Sequence, residues 1–174
     1  NNNPKNPVIN FRSFGEDIHN VADKGVAYMQ GMQNEGVMAC AKHFPGHGDT
    51  EVDSHLGLPR VEHSIEQIRQ VDLKPFADII QQQAPGMIMT AHIQYPALDA
   101  STVQGRDGKP LIRPATLSRT ILTDVLRQQL GFEGVGIDRA AEALRAVLQH
   151  REAVAAVGEE AVQGHPVAGR RIDR

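Results

Sequence analysis

The chain is poor in several things at once. It has one cysteine, Cys40, so no internal disulfide framework can form. It has no tryptophan and an aromatic fraction of 4%, and no aromatic platform interleaves with basic residues. Its net charge is -3 and lysine and arginine form no basic cluster, so the electrostatic footprint of a nucleic-acid binder is missing. No apolar run approaches the roughly eighteen residues of a membrane helix. The first residue is Asn1 rather than Met. Asn1-Asn2-Asn3-Pro4-Lys5-Asn6-Pro7 has loop composition, yet Val8-Ile9 and Arg12 follow as though mid-domain, so an excerpt of a longer protein is expected.

What is there is enough for one domain with a real core, since the chain has 174 residues. Apolar positions Ile18, Val21, Ala22, Val26, Met29 and Met32 recur at helical spacing, with Gly36 as the stop. Val37-Met38-Ala39-Cys40-Ala41 reads as a buried strand. A capping-box pattern at Ser64 and Gln67 opens a second helix running towards Gln82, which Pro75 must kink or divide. Gly86 to His92 is the second strand, and 93–115 reads as a long surface loop on the same end as the first. A third helix starts near Thr116 or Ser118 and stops at Gly131, and Phe132 to Ile137 is the third strand. Strands thus recur every fifty residues or so in β-then-α order, which implies parallel strands with right-handed crossovers. The fold class expected is α/β. Periodicity alone leaves a TIM-like barrel and an open doubly wound sheet both open. Residues 139–174 differ in character, with an Ala-, Glu- and Arg-rich helical stretch and then a loose tail.

Polar residues close each strand: Lys42 and His43, then His92, then Asp138. That end carries the chemistry in parallel α/β folds. The richest stretch is Lys42-His43-Phe44-Pro45-Gly46-His47-Gly48-Asp49-Thr50-Glu51-Val52-Asp53-Ser54-His55, which follows a strand and is broken by proline and glycine. One residue separates Asp53 from His55, a spacing that lets a carboxylate orient and polarise an imidazole for acid/base work. Lys42 and His43 offer donors to a polar substrate. A metal-dependent hydrolase is the competing chemistry, but Pro45 and Gly46 break any helix that would present His43 and His47 as a compact ligand pair.

These residues carry a resemblance. Lys42-His43-Phe44-Pro45-Gly46-His47-Gly48, with Asp53-Ser54-His55 and Leu58-Pro59, resembles the signature of glycoside hydrolase family 3, in its β-N-acetylhexosaminidase branch. Asn6-Pro7-Val8-Ile9 to Arg12-Ser13-Phe14-Gly15-Glu16-Asp17 is similar to the family's upstream segment. Met89-Thr90-Ala91-His92, Tyr95-Pro96-Ala97-Leu98-Asp99, Pro114 to Ser118 and Leu130 to Val135 look like its later landmarks. The resemblance covers about residues 1–135, in order.

It implies parallel βα units of a TIM-like (β/α)8 barrel, partial here because the family has strands before residue 1. Residues 1–138 would form this part and 139–174 a divergent segment. The implied activity is removal of terminal N-acetyl-β-glucosamine from a glycan or glycopeptide, with retention through a covalent glycosyl-enzyme. In this branch a histidine replaces the second carboxylate usual in glycosidases. His55 would then be the acid/base and Asp53 its orienting partner. Arg12, Lys42 and His43 would bind sugar hydroxyl and acetamido groups, His92 would line the same pocket, and His47 would serve loop structure. No metal or organic cofactor is implied, and no nucleic-acid partner.

The family's nucleophile is an aspartate after Gly-Phe-x-Gly-Val, normally preceded by Thr or Ser. Here Gly134-Val135-Gly136-Ile137-Asp138 brings it one residue early, without the hydroxyl. A one-residue shift turns a strand side chain to the opposite face, so Asp138 would point away from the sugar unless a bulge, for which Gly136 is the candidate, restores it. A sugar-binding remnant without turnover is therefore an alternative to the enzyme. Transfer of the glycosyl group to phosphate would use the same histidine.

Overall fold

The computed structural model describes residues 1–54, 57–83, 85–105 and 108–137. His55, Asp138 and the whole of 139–174 lie outside the described residues. Helix α1 (Ile18–Asn34) starts where the Asp17 side chain accepts the Asn20 N–H at 2.8 Å. It stops where Gly36, at φ +74°, bends the chain back and the Gly36 and Val37 amides donate to the Gln33 and Met32 carbonyls.

That stop displaces the first strand. β1 (Cys40–Phe44) begins three residues later than hydrophobicity suggests, because Val37 and Met38 belong to the helix terminus and are 50% and 58% exposed. It runs on through the polar Lys42 and His43. β1 pairs in parallel with β2 (Met87–Thr90), and β2 with β5 (Val135–Ile137), giving the order β1-β2-β5. The parallel βα architecture expected from the strand spacing is what forms, as an open portion of a TIM-like barrel.

The second helical region is divided, as Pro75 requires. A short α2 (Ile65–Gln67), capped by the Ser64 hydroxyl, opens into wide π-type turns over Ile68–Asp72, and α3 (Lys74–Gln83) follows. Pro75 lies in the first turn of α3, where a missing N–H costs nothing. α1 and α3 pack together over the sheet. Gly25 in α1 makes this possible, since a Cβ there would stand 2.9 Å from Ile79 Cδ1.

The segment 93–115 is not bare loop. It holds an antiparallel hairpin, β3 (Thr102–Gln104) with β4 (Pro110–Ile112). Gln94 stitches the loops together: its amide donates to the Pro59 carbonyl, its carbonyl accepts from Val61, and its side chain donates to the Ile112 carbonyl. The third helix (Thr120–Gln129) also has wide π-type turns, and Ser118 caps it through the Ile121 amide at 3.0 Å. The core gathers Phe44, Ile68, Leu73, Phe76, Ile88, Ile93, Ile121 and Leu126, with Phe44 edge-on to Phe76 at 5.2 Å. Each such ring or aliphatic side chain contributes roughly 1.5–3 kcal/mol by burial.

β5 enters over Arg127, whose guanidinium lies 4.9 Å from the Phe132 ring centroid and donates to the Phe132 and Gly134 carbonyls. Its register is regular: Val135, Gly136 and Ile137 face Met87, Ile88 and Met89 in turn. No bulge therefore interrupts β5 at Gly136.

Candidate active site

The irregularity lies instead in β1. Lys42 faces Met89 and Phe44 faces Thr90, so His43 is an extra residue on the strand. Were these residues paired one-to-one with β2, period-two alternation from the buried Ala41 would send Phe44 outward. The bulge resets the phase, burying Phe44 completely and leaving two successive polar residues, Lys42 exposed and His43 half-buried, off the core face. The Lys42–His43 and Phe44–Pro45 peptides are both cis.

Lys42 and His43 line a cavity of about 510 Å³. The N-terminal segment supplies Arg12, the signature loop supplies Gly46, His47 and Gly48, and an apolar wall comes from Phe14, Tyr28, Met29 and Phe76. Arg12, Lys42 and His43, distant in sequence, thus share one cavity. His92, two residues past the end of β2, is not among the residues that line it.

Asn6, a residue sequence reasoning passed over, brings the N-terminal segment to the loop. It is buried. Its Nδ2 donates to the His47 carbonyl at 2.7 Å, and its Oδ1 accepts the Val8 and Ile9 amides at 3.1 and 2.9 Å. The neutral amide offers donor and acceptor together there.

His47 is buried within the loop. Its Nδ1 lies 2.6 Å from Thr50 Oγ1, its Nε2 lies 3.2 Å from Ser54 Oγ, and its ring meets His43 edge-on at 5.7 Å. It therefore connects the start of the loop to the Asp53-Ser54 arm. Asp53 is half-buried, and its carbonyl accepts the Gly57 amide at 2.9 Å.

His92 is oriented by Thr116. The Thr116 hydroxyl donates its one proton to the Ala91 carbonyl at 2.8 Å, so the 2.8 Å contact with His92 Nδ1 has the imidazole as donor. Tyr95 Oη donates to the Gly46 carbonyl at 2.9 Å. Burial raises the Tyr95 phenol well above its ordinary range, keeping it a neutral donor. Thr116 and Tyr95 come from the segment after β2, and their partners are not local in sequence.

Burial also raises the Cys40 thiol, with Lys42 opposing. Among the described residues no three His, Cys, Asp or Glu side chains gather as a metal site. No helix among them is long and apolar enough to cross a membrane.

A family model, the glycosyl hydrolase family 3 N-terminal domain, matches residues 1–163. The chain is 56% identical over 140 residues, 80% of its length, to beta-hexosaminidase A of Pseudoalteromonas piscicida. It is 40% identical over 128 residues, 74% of its length, to a beta-hexosaminidase of Chromobacterium violaceum. Among solved structures it resembles a glycoside hydrolase family 3 beta-N-acetylglucosaminidase from Paenibacillus sp. str. FPU-7, with TM-score 0.73, 33% identity and 92% of this chain covered. The chain spans 23% and 32% of the two curated relatives and 34% of the solved chain.

Proposed function

The chain belongs to glycosyl hydrolase family 3, and on that premise we propose that it forms the signature-loop part of an enzyme removing terminal N-acetyl-β-glucosamine from glycans or glycopeptides. The observation that carries this reading is the β1 bulge, which delivers Lys42 and His43 together to the cavity that Arg12 also lines. Two cations and an imidazole on one cavity edge suit the hydroxyl and acetamido oxygens of an N-acetylated sugar. His92 would approach the same sugar from the end of β2.

In this mechanism the Asp138 carboxylate attacks the anomeric carbon while His55 protonates the departing glycosidic oxygen, and the glycosidic C–O bond breaks. Water then gives a proton to His55 and attacks the same carbon, releasing the carboxylate with net retention. Asp53 orients the imidazole and stabilises its protonated form. Support for this assignment is the rigid arm before position 55, where Ser54 is tied to His47 and His47 to Thr50.

The regular register of β5 through Ile137 favours a second reading, in which the loop binds N-acetylated sugar without a placed nucleophile. Release of aryl alcohol from an aryl N-acetyl-β-glucosaminide separates the two. Turnover abolished by Asp138→Ala and by His55→Ala supports the enzyme. Saturable binding of N-acetylglucosamine by the folded chain without turnover supports the binding remnant.

A further inference from the structure

One histidine outside the signature is held at both ring nitrogens by carboxylates. His63 is 9% exposed and lies between the loop and the Ser64 cap of α2. Its Nδ1 is 2.7 Å from Asp72 Oδ2 and its Nε2 is 2.7 Å from Asp49 Oδ2. A neutral imidazole has one N–H, so its other nitrogen would turn a lone pair towards a carboxylate oxygen at that distance. Both contacts are attractive when the unit carries one more proton, on the ring or on a carboxyl.

The two carboxylates belong to different elements. Asp49 follows Gly48 in the signature loop, and Asp72 ends the wide turns before α3. Asp72 also abuts the loop's first glycine: a Cβ on Gly46 would stand 3.2 Å from Asp72 Cβ and Oδ1 and 3.0 Å from Tyr95 Oη. The segment 46–49 is thus fixed at both ends, by close packing at Gly46 and through His63 at Asp49. Lys42 and His43 lead into that segment, and Asp53 leads out of it.

We propose that His63, as an imidazolium shared by Asp49 and Asp72, is the positioning residue that clasps the signature loop to the head of α3. The role in catalysis rests on the glycosidase reading; the clasp itself does not. The titratable groups facing the ring are Asp49 from the loop, Asp72 from the π turn and, across both carboxylates, the neutral hydroxyl of Tyr95. Burial opposes charge on His63, but the hydrogen bonds it donates to both carboxylates and their charges outweigh it, and the ring holds its proton above the ordinary imidazole value of 6.5. Burial raises the Asp72 carboxyl in turn, against the pull of His63. Loss of the shared proton leaves one N–H for two acceptors, so one arm lets go.

The test uses the full chain and reads the ring directly. Nitrogen and proton NMR of the histidine side chains, with His63→Gln to identify the resonance, should show both ring nitrogens protonated at pH 7. The midpoint should lie above that of free imidazole, and the amides of Gly46, Gly48 and Thr50 should titrate with it. Denaturant unfolding across pH gives an independent measure. A raised folded-state value means the stability advantage over His63→Gln is fully present below about pH 6.5 and is lost as pH rises through the folded-state midpoint. A neutral ring at pH 7, or a stability gap unchanged with pH, overturns the clasp whether or not the chain turns over sugar. Given turnover, His63→Gln should raise KM by about tenfold, the equivalent of one buried hydrogen bond, and flatten the alkaline limb of the wild-type profile. An unchanged KM and pH profile overturns the positioning role.

Discussion

Ser54 Oγ lies 3.2 Å from Nε2 of the buried His47, so the residue between Asp53 and position 55 is fixed to the turn that follows β1. The arm carrying Asp53 and the strand offering Lys42 and His43 are thereby linked. Ser54→Ala removes that connection while leaving Asp53 in place. It should cost about 1 kcal/mol in denaturant unfolding and lower kcat on an aryl N-acetyl-β-glucosaminide more than it raises KM. An unaffected kcat would show that the arm is positioned by other contacts.

Asn6 bears on the opposite wall of the site. Asn6→Ala deprives the His47 carbonyl and the Val8 and Ile9 amides of their partner, and should cost about 2 kcal/mol of stability. Asn6→Asp keeps the acceptor but sets a carboxylate against the His47 carbonyl, so it should not restore the loss. Unfolding curves for the two variants decide this, and N-acetylglucosamine binding should weaken in both as the Arg12 segment loosens.

Thr116 is the hinge on which His92 turns. Thr116→Val removes both the acceptor for His92 Nδ1 and the donor to the Ala91 carbonyl, at about 1–3 kcal/mol for buried groups left without partners. Thr116→Ser keeps both and should be close to wild type. If His92 meets the sugar, affinity for N-acetylglucosamine falls in the valine variant and recovers in the serine variant.

The hairpin region has its own pH dependence. Burial of Asp99 favours its protonated form, but hydrogen bonds from the Ser101 amide and the Ser118 hydroxyl, with the charge of Arg113, outweigh it and lower its carboxyl below the ordinary value of 3.8. A depressed folded-state value gives stability that is present above the unfolded value and is lost as pH falls through the folded one. The stability difference between wild type and Asp99→Asn should therefore hold from neutral pH down to about pH 4 and shrink below it. Unfolding midpoints at pH 7, 4 and 3 would expose a difference that does not change.

The sequence made some of this plain and hid the rest for identifiable reasons. The α1 stop at Gly36, the division of the second helix at Pro75 and the parallel strands follow from local signals, so they were legible. β1 was misplaced towards 37–41 because apolar Val37 and Met38 look like strand but close a helix, while polar Lys42 and His43 look like loop but extend a bulged strand. The hairpin within 93–115 left a signal that length concealed: Thr102-Val103-Gln104 and Leu111-Ile112 lie either side of the sequence Gly-Arg-Asp-Gly. Arg12, Lys42 and His43 were picked out by residue type and resemblance, and they do meet at one cavity. Asn6, His63, Asp72 and Thr116 were not, because each has a partner 9 to 41 residues away that only the fold brings near.

The extra residue in β1 also bears on how such a chain can change length over evolutionary time. Ala41 and Phe44 both reach the core only because the count between them is odd by one against the β2 ladder. A codon lost between them would restore plain alternation, with Ala41 and Phe44 still inward but only one residue left where Lys42 and His43 now stand at the cavity edge. A codon gained would move Lys42 or His43 away from the cavity edge. Substitution can explore this stretch one side chain at a time, but insertion and deletion cannot, and the spacing from Ala41 to Phe44 is inherited as a unit.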